Sequence, residues 1–404
     1  MTVLAVGFMV AALGAVPVPQ FELYTRGEEM PADAIERINP DWSVTLTGQK
    51  PVPGTDVISL RRVDMALPAW PREAQLLLIG GDRIVGEIVD CDGRGLRFRQ
   101  KASSDREEVL RVPLSRVDVL WLAPGPRDLR ESDPRYAALS GARQHDLLLL
   151  RNGDAISGDL LGMDGTTKKT RVQESRELAV ENTRIAAIAF NTQLARAHPP
   201  RGMYGRVILT DGSRLTLQSA NADAKSLIGE TDFKAKLTIR WEDIVALDLF
   251  HGSAHYLSDL RPKQYEYSSF LSERYEWVAD RNVTEGQIVL RTKDGLSHFD
   301  KGVGLHSQCK LVYALDGKYR TFEAMIGLDE MLGKNGDAEV RILVDGKETG
   351  AGRRLTHDGE SWRVRMDVRN TQELTIEVNW GDGGHVGDAV DLGDARLILA
   401  DSKR

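Results

Sequence analysis

The chain has 404 residues, with 53 Lys and Arg against 60 Asp and Glu, a formal net charge of -7, 38 Gly, 15 Pro and 2 Cys. That length allows about two to four domains, and the ordinary hydrophobic and charged fractions exclude a disordered tail or a membrane bundle. The acidic balance argues against nucleic acid as a partner, and Cys91 and Cys309, without Cys or His neighbours at ligand spacing, exclude a disulfide framework and a structural zinc site.

Val3 to Ala15 is an uninterrupted apolar and Gly run followed by Val16-Pro17-Val18-Pro19. Its length suits the apolar region of a signal peptide and falls short of the roughly 20 residues of a spanning helix. Residues 1–19 are therefore read as a signal peptide or N-terminal anchor, although no Lys or Arg precedes the run; a buried N-terminal strand or helix is the alternative. The expectation is an exported protein, in the periplasm, at the cell surface or secreted.

Three segments then repeat one pattern. Leu76 to Ile88, Leu147 to Leu160 and Val207 to Leu217 each consist of an apolar strand, a tight turn at Gly81, Gly153 or Gly212, and an alternating second strand. This is a hairpin signature. Each copy closes 30 to 40 positions later on an apolar strand, at Val117 to Trp121, Ile185 to Phe190 and Ile244 to Leu249. A degenerate copy runs from Phe21 to Leu60. The predicted units are 20–66, 72–123, 144–197 and 203–252, with a Pro- and Arg-rich linker at 124–143. Their pattern resembles small Sm-like or SH3-like barrels. Asp82 and Asp154, beside the turn glycines, are read as turn formers and not as paired catalytic carboxylates.

From about Ser258 the sequence changes character. Turns at Asp294-Gly295, Asp316-Gly317, Asn335-Gly336 and Asp345-Gly346 separate seven short strands: Gln287 to Arg291, Lys310 to Ala314, Thr321 to Ile326, Ala338 to Val344, Trp362 to Val368, Glu373 to Asn379 and Ala395 to Leu399. That spacing predicts an antiparallel β-sandwich. The fold class expected for the chain is all-β, with three or four tandem small barrel-like repeats followed by a jelly-roll sandwich over 258–401.

Phe299-Asp300-Lys301-Gly302-Val303-Gly304-Leu305-His306-Ser307, Leu311 to Phe322, Ile326 to Asp329 and Val340 to Gly346 together resemble the NPCBM family, carbohydrate-binding modules that accompany bacterial glycoside hydrolases. The resemblance implies a jelly-roll sandwich with a carbohydrate partner, a calcium ion in some relatives, and no catalytic role for this module. Where the family closes on a segment like D-H-A-D-W, this chain reads Asp388-Ala389-Val390-Asp391-Leu392. An aromatic ring is thus missing at Leu392, which bears on sugar stacking or on packing, according to where that ring sits.

Candidate ligand-binding residues are His306, Trp380, Asp382, His385, Asp388 and Asp391. Trp380 to Asp388, with Asp391 and Asp394, gathers an aromatic, a His and carboxylates in a Gly-rich stretch. Sugar sites combine an aromatic face with hydroxyl-bonding polar groups, and such oxygen ligands also suit Ca²⁺. His306 either meets ligand or locks its loop, the latter being favoured; Trp362 and Trp241 are expected in the core. No nucleophile, zinc-protease or phosphate-loop motif is present in a supporting context. The expected function is a non-catalytic exported protein that binds carbohydrate, or another cell-surface ligand, through its C-terminal module, with the repeats as scaffold. The rivals are a glycoside hydrolase with its site in the repeats, needing two converging carboxylates, and a scaffold that binds proteins by strand addition.

Overall fold

A computed structural model of the chain describes residues 19–27, 29–101, 109–122, 139, 141–195, 200–268 and 274–400. The expected signal or anchor and most of the 124–143 linker lie outside the described residues. Every strand pairing is antiparallel.

The repeat is visible hydrogen bond by hydrogen bond. The turn glycines Gly81, Gly153 and Gly212 have positive φ of 90°, 95° and 86°. Their N–H groups donate to Leu78, Leu150 and Leu209 respectively, at 3.0 Å in each case. Behind each turn the second strand (Arg83–Cys91, Ala155–Asp164 or Arg214–Ala222) is long and changes partner midway. Its first half pairs with the opening strand and its second half with the third, past a register shift. Such irregularities bend a strand. After the fourth strand comes a single 3-10 turn (Leu114–Arg116, Asn182–Arg184, Trp241–Asp243). The fifth strand then returns to pair with the first.

The degenerate copy has the same plan. Phe21–Thr25 pairs with both Glu29–Asp33 and Val57–Arg62, and the latter again follows a 3-10 turn, Gly54–Asp56. Its second strand is broken at Ala34, whose N–H is taken by the Asp33 carboxylate at 2.7 Å, and resumes at Ile35–Ile38.

The hydrogen-bonded order within a module is 5-1-2-3-4. Among the described residues no ladder joins the fourth and fifth strands, so closure into a barrel is not carried by hydrogen bonds. The 3-10 turn carries the chain round that corner instead. The free edge of the fifth strand is covered by another module. Val119, Leu120 and Trp121 pair with Ala189, Ile188 and Ala187, while Ser59, Leu60 and Arg61 pair with Asp248, Leu247 and Ala246. Counted from the end of the 3-10 turn, both ladders join position 3 to 5, 4 to 4 and 5 to 3, so each is a quasi-twofold centred on its fourth residue. Modules of about 45 residues are too small for a generous core alone. Here one continuous core runs from Phe21 through Leu76 and Leu148 to Leu249, and the fifth-strand edges, which would otherwise invite strand addition, are occupied.

The C-terminal part is a sandwich of two six-stranded sheets. In one, Val278–Ala279, Gly302–His306, Ala389–Leu399, Tyr319–Leu328 and Trp362–Asp367 are successive neighbours, with Ala254–Tyr256 also on Ala389–Leu399. In the other, Gln264–Tyr267, Cys309–Ala314, Glu373–Trp380 and Asp337–Val344 follow one another, and Asp337–Val344 also carries Lys347–Glu348 and Arg353–Thr356. Leu305, Phe322 and Ile326 from the first sheet meet Leu311, Val340 and Ile376 from the second in a core of their own. Asp345-Gly346 is the left-handed turn of a hairpin. Asp316-Gly317 is left-handed as well but, like Asn335-Gly336, carries the chain from one sheet to the other and forms no hairpin.

The glycines of the Lys-Gly-x-Gly segment have a steric cause. A Cβ on Gly302 would lie 2.3 Å from the Leu392 carbonyl oxygen, and one on Gly304 would lie 2.4 Å from that of Arg281. Leu392 is fully buried in the sandwich core, opposite Val303 and Ile326. The substitution of the expected ring is thus a matter of packing.

The sandwich is docked on the modules. Asp300 accepts from Arg214 Nε at 2.8 Å, Trp70 Nε1 at 3.0 Å and Gln287 Nε2 at 3.1 Å. Arg83 lies over the Trp70 ring at 4.0 Å. Ile58, Ala254 and Ile398 form an apolar contact across the same boundary. Gly302–His306 and Tyr319–Leu328 run from this docked end to the opposite end, where Glu373–Trp380 also finishes and Asp337–Val344 and Ala389–Leu399 begin.

Candidate functional site

That opposite end gathers the connections 329–336, 357–361 and 381–388. Gly336 and Gly387 are in such close contact that a Cβ on Gly336 would lie 2.1 Å from the Gly387 carbonyl oxygen. The organiser is Asp337, which the sequence did not single out. Its backbone carbonyl accepts from Gly381 N at 2.5 Å, and its carboxylate from Asp382 N at 3.0 Å and Arg354 Nε at 2.7 Å. The Arg354 side chain holds the Asp337 carboxyl below its ordinary pKa. Arg354 also pairs with Asp382 at 2.6 Å.

The six candidate residues divide by exposure. Trp380, last residue of Glu373–Trp380, shares the strand face of the core residues Ile376 and Val378 but is 39% exposed. Asp382 is open to solvent beside Arg354, and His385 is half-buried. His306 is buried, stacked on Tyr275 at 4.0 Å between centroids and edge-on to His385 at 6.2 Å. Asp388 is fully buried and accepts from Asp337 N at 2.9 Å; burial pushes its pKa up.

Asp391 departs furthest from the loop expected of it, and Asp394 goes with it. Both lie within the strand Ala389–Leu399, where the opposite partners Gly304 and Gly327 fix the Asp391 register. Asp391 is fully buried against Asp329. Burial first, and then the Asp329 charge, raise its pKa well above the usual carboxylate range. Asp329 is itself spoken for: Oδ1 accepts from Met331 N and Leu332 N, each at 2.9 Å, and Oδ2 from Asn282 Nδ2 at 3.2 Å.

Calcium takes six to eight oxygen ligands, carboxylates prominent among them. Among the described residues no three His, Cys, Asp or Glu side chains converge.

In the modules, the buried carboxylates are tied up structurally. Asp82 accepts from Thr216 N at 2.6 Å and Oγ1 at 2.7 Å, joining two modules, while Asp248 pairs with Arg61. Cys91 and Cys309 are buried free thiols, each pushed up to about 12 by burial. Among the described residues no helix is long and apolar enough to cross a membrane.

Sequence reasoning missed Asp337, Arg354 and Tyr275. For Tyr275 there was a signal, the run Tyr265-x-Tyr267 and Tyr275-x-Trp277; Tyr265 donates to the Tyr275 carbonyl at 2.7 Å. Arg354 carried none.

Residues 253–398 match the family model of the NPCBM/NEW2 domain. A comparison with curated proteins returns no match. Similar solved structures include the CBM51 from Clostridium perfringens GH95 in complex with methyl-galactose, at 26% identity over 36% of this chain and 99% of that one, TM-score 0.32. Another comprises the CBM51-2, in complex with GlcNAc, and INT domains of Clostridium perfringens ZmpB, at 23% identity over 48% and 44% of the two chains, TM-score 0.34. A third is the tandem CBM51 modules of Streptococcus pneumoniae Sp3GH98, at 11% identity over 63% and 88%, TM-score 0.33.

Proposed function

We propose that the chain is a non-catalytic, exported carbohydrate-binding protein whose ligand site is the free end of the sandwich. The observation that carries this reading is an exposed Trp380 ring, set beside Asp382 and His385, in a segment that matches a carbohydrate-binding family. The ring supplies an apolar face for the CH surface of a sugar. Asp382 accepts from hydroxyls, and the His385 ring can donate or accept. His306 on Tyr275, and Asp388 on Asp337, act from beneath by fixing the loop, since pre-organised contacts cost less ordering on binding. The four paired modules serve as a rigid scaffold that holds this end outward.

A panel of immobilised neutral glycans probed with the full chain tests the reading. Trp380→Ala is expected to weaken the best binder about tenfold, the effect of roughly 1.4 kcal/mol. Undiminished binding by this variant would remove the ring from the site. Arg354→Ala should also weaken binding, by about threefold to tenfold, through loss of order in the 381–388 segment. Its thermal midpoint should stay within a few degrees of wild type, because Arg354 is an exposed partner.

A further inference from the structure

On the other side of the 329–336 connection from Trp380 lies a cleft of about 340 Å³, lined among others by Arg291, Asp329, Glu330, Lys334, Asn335 and His357. Its walls belong to three separate pieces of chain that are fastened together. Glu330 N donates to the Val289 carbonyl at 2.8 Å, and Ser361 N and Oγ both donate to the Arg291 carbonyl, at 2.7 and 2.8 Å. Arg291 is held by Glu330 at 2.5 Å. The floor is fixed by the three N–H donors that Asp329 accepts. The cleft is therefore a built concavity, and its size falls within the range of small-ligand sites, about 300–1,000 Å³.

We propose that this cleft is a second ligand subsite, taking one neutral sugar residue edge-on. The charges of Arg291 and Lys334 are matched by those of Asp329 and Glu330, leaving no net pull on a phosphate, sulfate or carboxylate. The lining mixes donors with acceptors, as vicinal hydroxyls require: Arg291 and Lys334 donate, Glu330 accepts, and Asn335 and His357 do both. No aromatic ring lines the cleft, so recognition here runs through hydroxyls and not through stacking. The inference rests on the carbohydrate reading above but concerns different residues. Because one connection separates the two surfaces, a single branched or extended glycan can engage both, and joined subsites reinforce one another through effective concentration.

The test uses the full chain, with methyl galactoside, methyl glucoside, N-acetylglucosamine and glucuronate as probes in calorimetric titration and saturation-transfer NMR. The variants are Lys334→Ala/Asn335→Ala, His357→Ala and Trp380→Ala. Wild type is expected to bind a neutral probe at two sites. Either cleft variant should weaken one site about tenfold and leave the other unchanged, and Trp380→Ala should do the converse. A single site insensitive to both cleft variants overturns the second subsite and leaves the first standing. Preference for glucuronate over the neutral probes overturns the neutral class. Absence of binding by wild type, also to the immobilised panel, overturns both readings together.

Discussion

Asp300→Ala is expected to destabilise the chain by about 3–5 kcal/mol in denaturant unfolding, the cost of leaving a buried charge without its partner. Arg214, whose side chain is 3% exposed, would keep only the carbonyl oxygens of Pro68, Ala69 and Gly212 as acceptors. Trp70 Nε1 and Gln287 would each lose an acceptor in the same step. Asp300→Asn should cost less, because the amide oxygen still accepts from one of these donors. The acid side carries a second signature. Burial opposes ionisation of Asp300, but Arg214, the Arg206 charge and the Trp70 hydrogen bond together outweigh it and hold the carboxyl below its usual range. Its stabilisation is thus present above the unfolded carboxylate value and is lost as pH falls through the lower folded value. A loss under about 1 kcal/mol on Asp300→Ala would mean that the sandwich is not locked to the modules through this ion pair.

Asp391→Asn is expected to change the pH profile in the opposite sense. Burial and the Asp329 charge raise the Asp391 pKa in the folded chain. The folded state then holds a proton that the unfolded state releases, so its contribution is complete below the unfolded value near 3.9 and declines as pH rises towards the folded value. The decline runs at about 1.4 kcal/mol per pH unit across that window. The asparagine variant has no such titration and can still donate to Asp329. Unfolding midpoints at pH 4, 6 and 8 should therefore show wild type losing ground to Asp391→Asn as pH rises. Parallel profiles would show that Asp391 ionises freely in the fold.

The repeat was legible because its signals are local. A Gly at positive φ three residues after an apolar strand end, and a return strand at fixed distance, are read from neighbours in sequence. How the modules join was not legible. Ile185–Ala189 is apolar on both faces and Ile244–Phe250 is apolar on both but for Asp248, which says that each is buried twice over but not which strand lies alongside. Six of the seven strands named from the sequence lie within two residues of their observed bounds, whereas Gln264–Tyr267, Gly295–Phe299, Gly302–His306 and Arg353–Thr356 were not named at all. Ala389–Leu399 was the exception, since Asp391, Gly393 and Asp394 weaken strand propensity and only the buried partners Asp329 and Gly304 make the first tolerable there. For the candidate site, the exposed residues Trp380 and Asp382 were singled out from their chemistry. The ones that hold them, Asp337 and Arg354, act through contacts with segments 28 to 51 positions away and left no local pattern. Asp300 was noticed only as part of the Lys-Gly-x-Gly segment. Its role depends on Arg214, which is 86 positions earlier.

The most direct test of carbohydrate recognition at the sandwich end is a crystal structure of the full chain soaked with the neutral glycan that binds best in the panel. The expected result is a sugar ring lying over Trp380, with hydroxyls within hydrogen-bond reach of Asp382 or His385. A sugar bound to the modules instead, with the Trp380 end empty, would contradict the account.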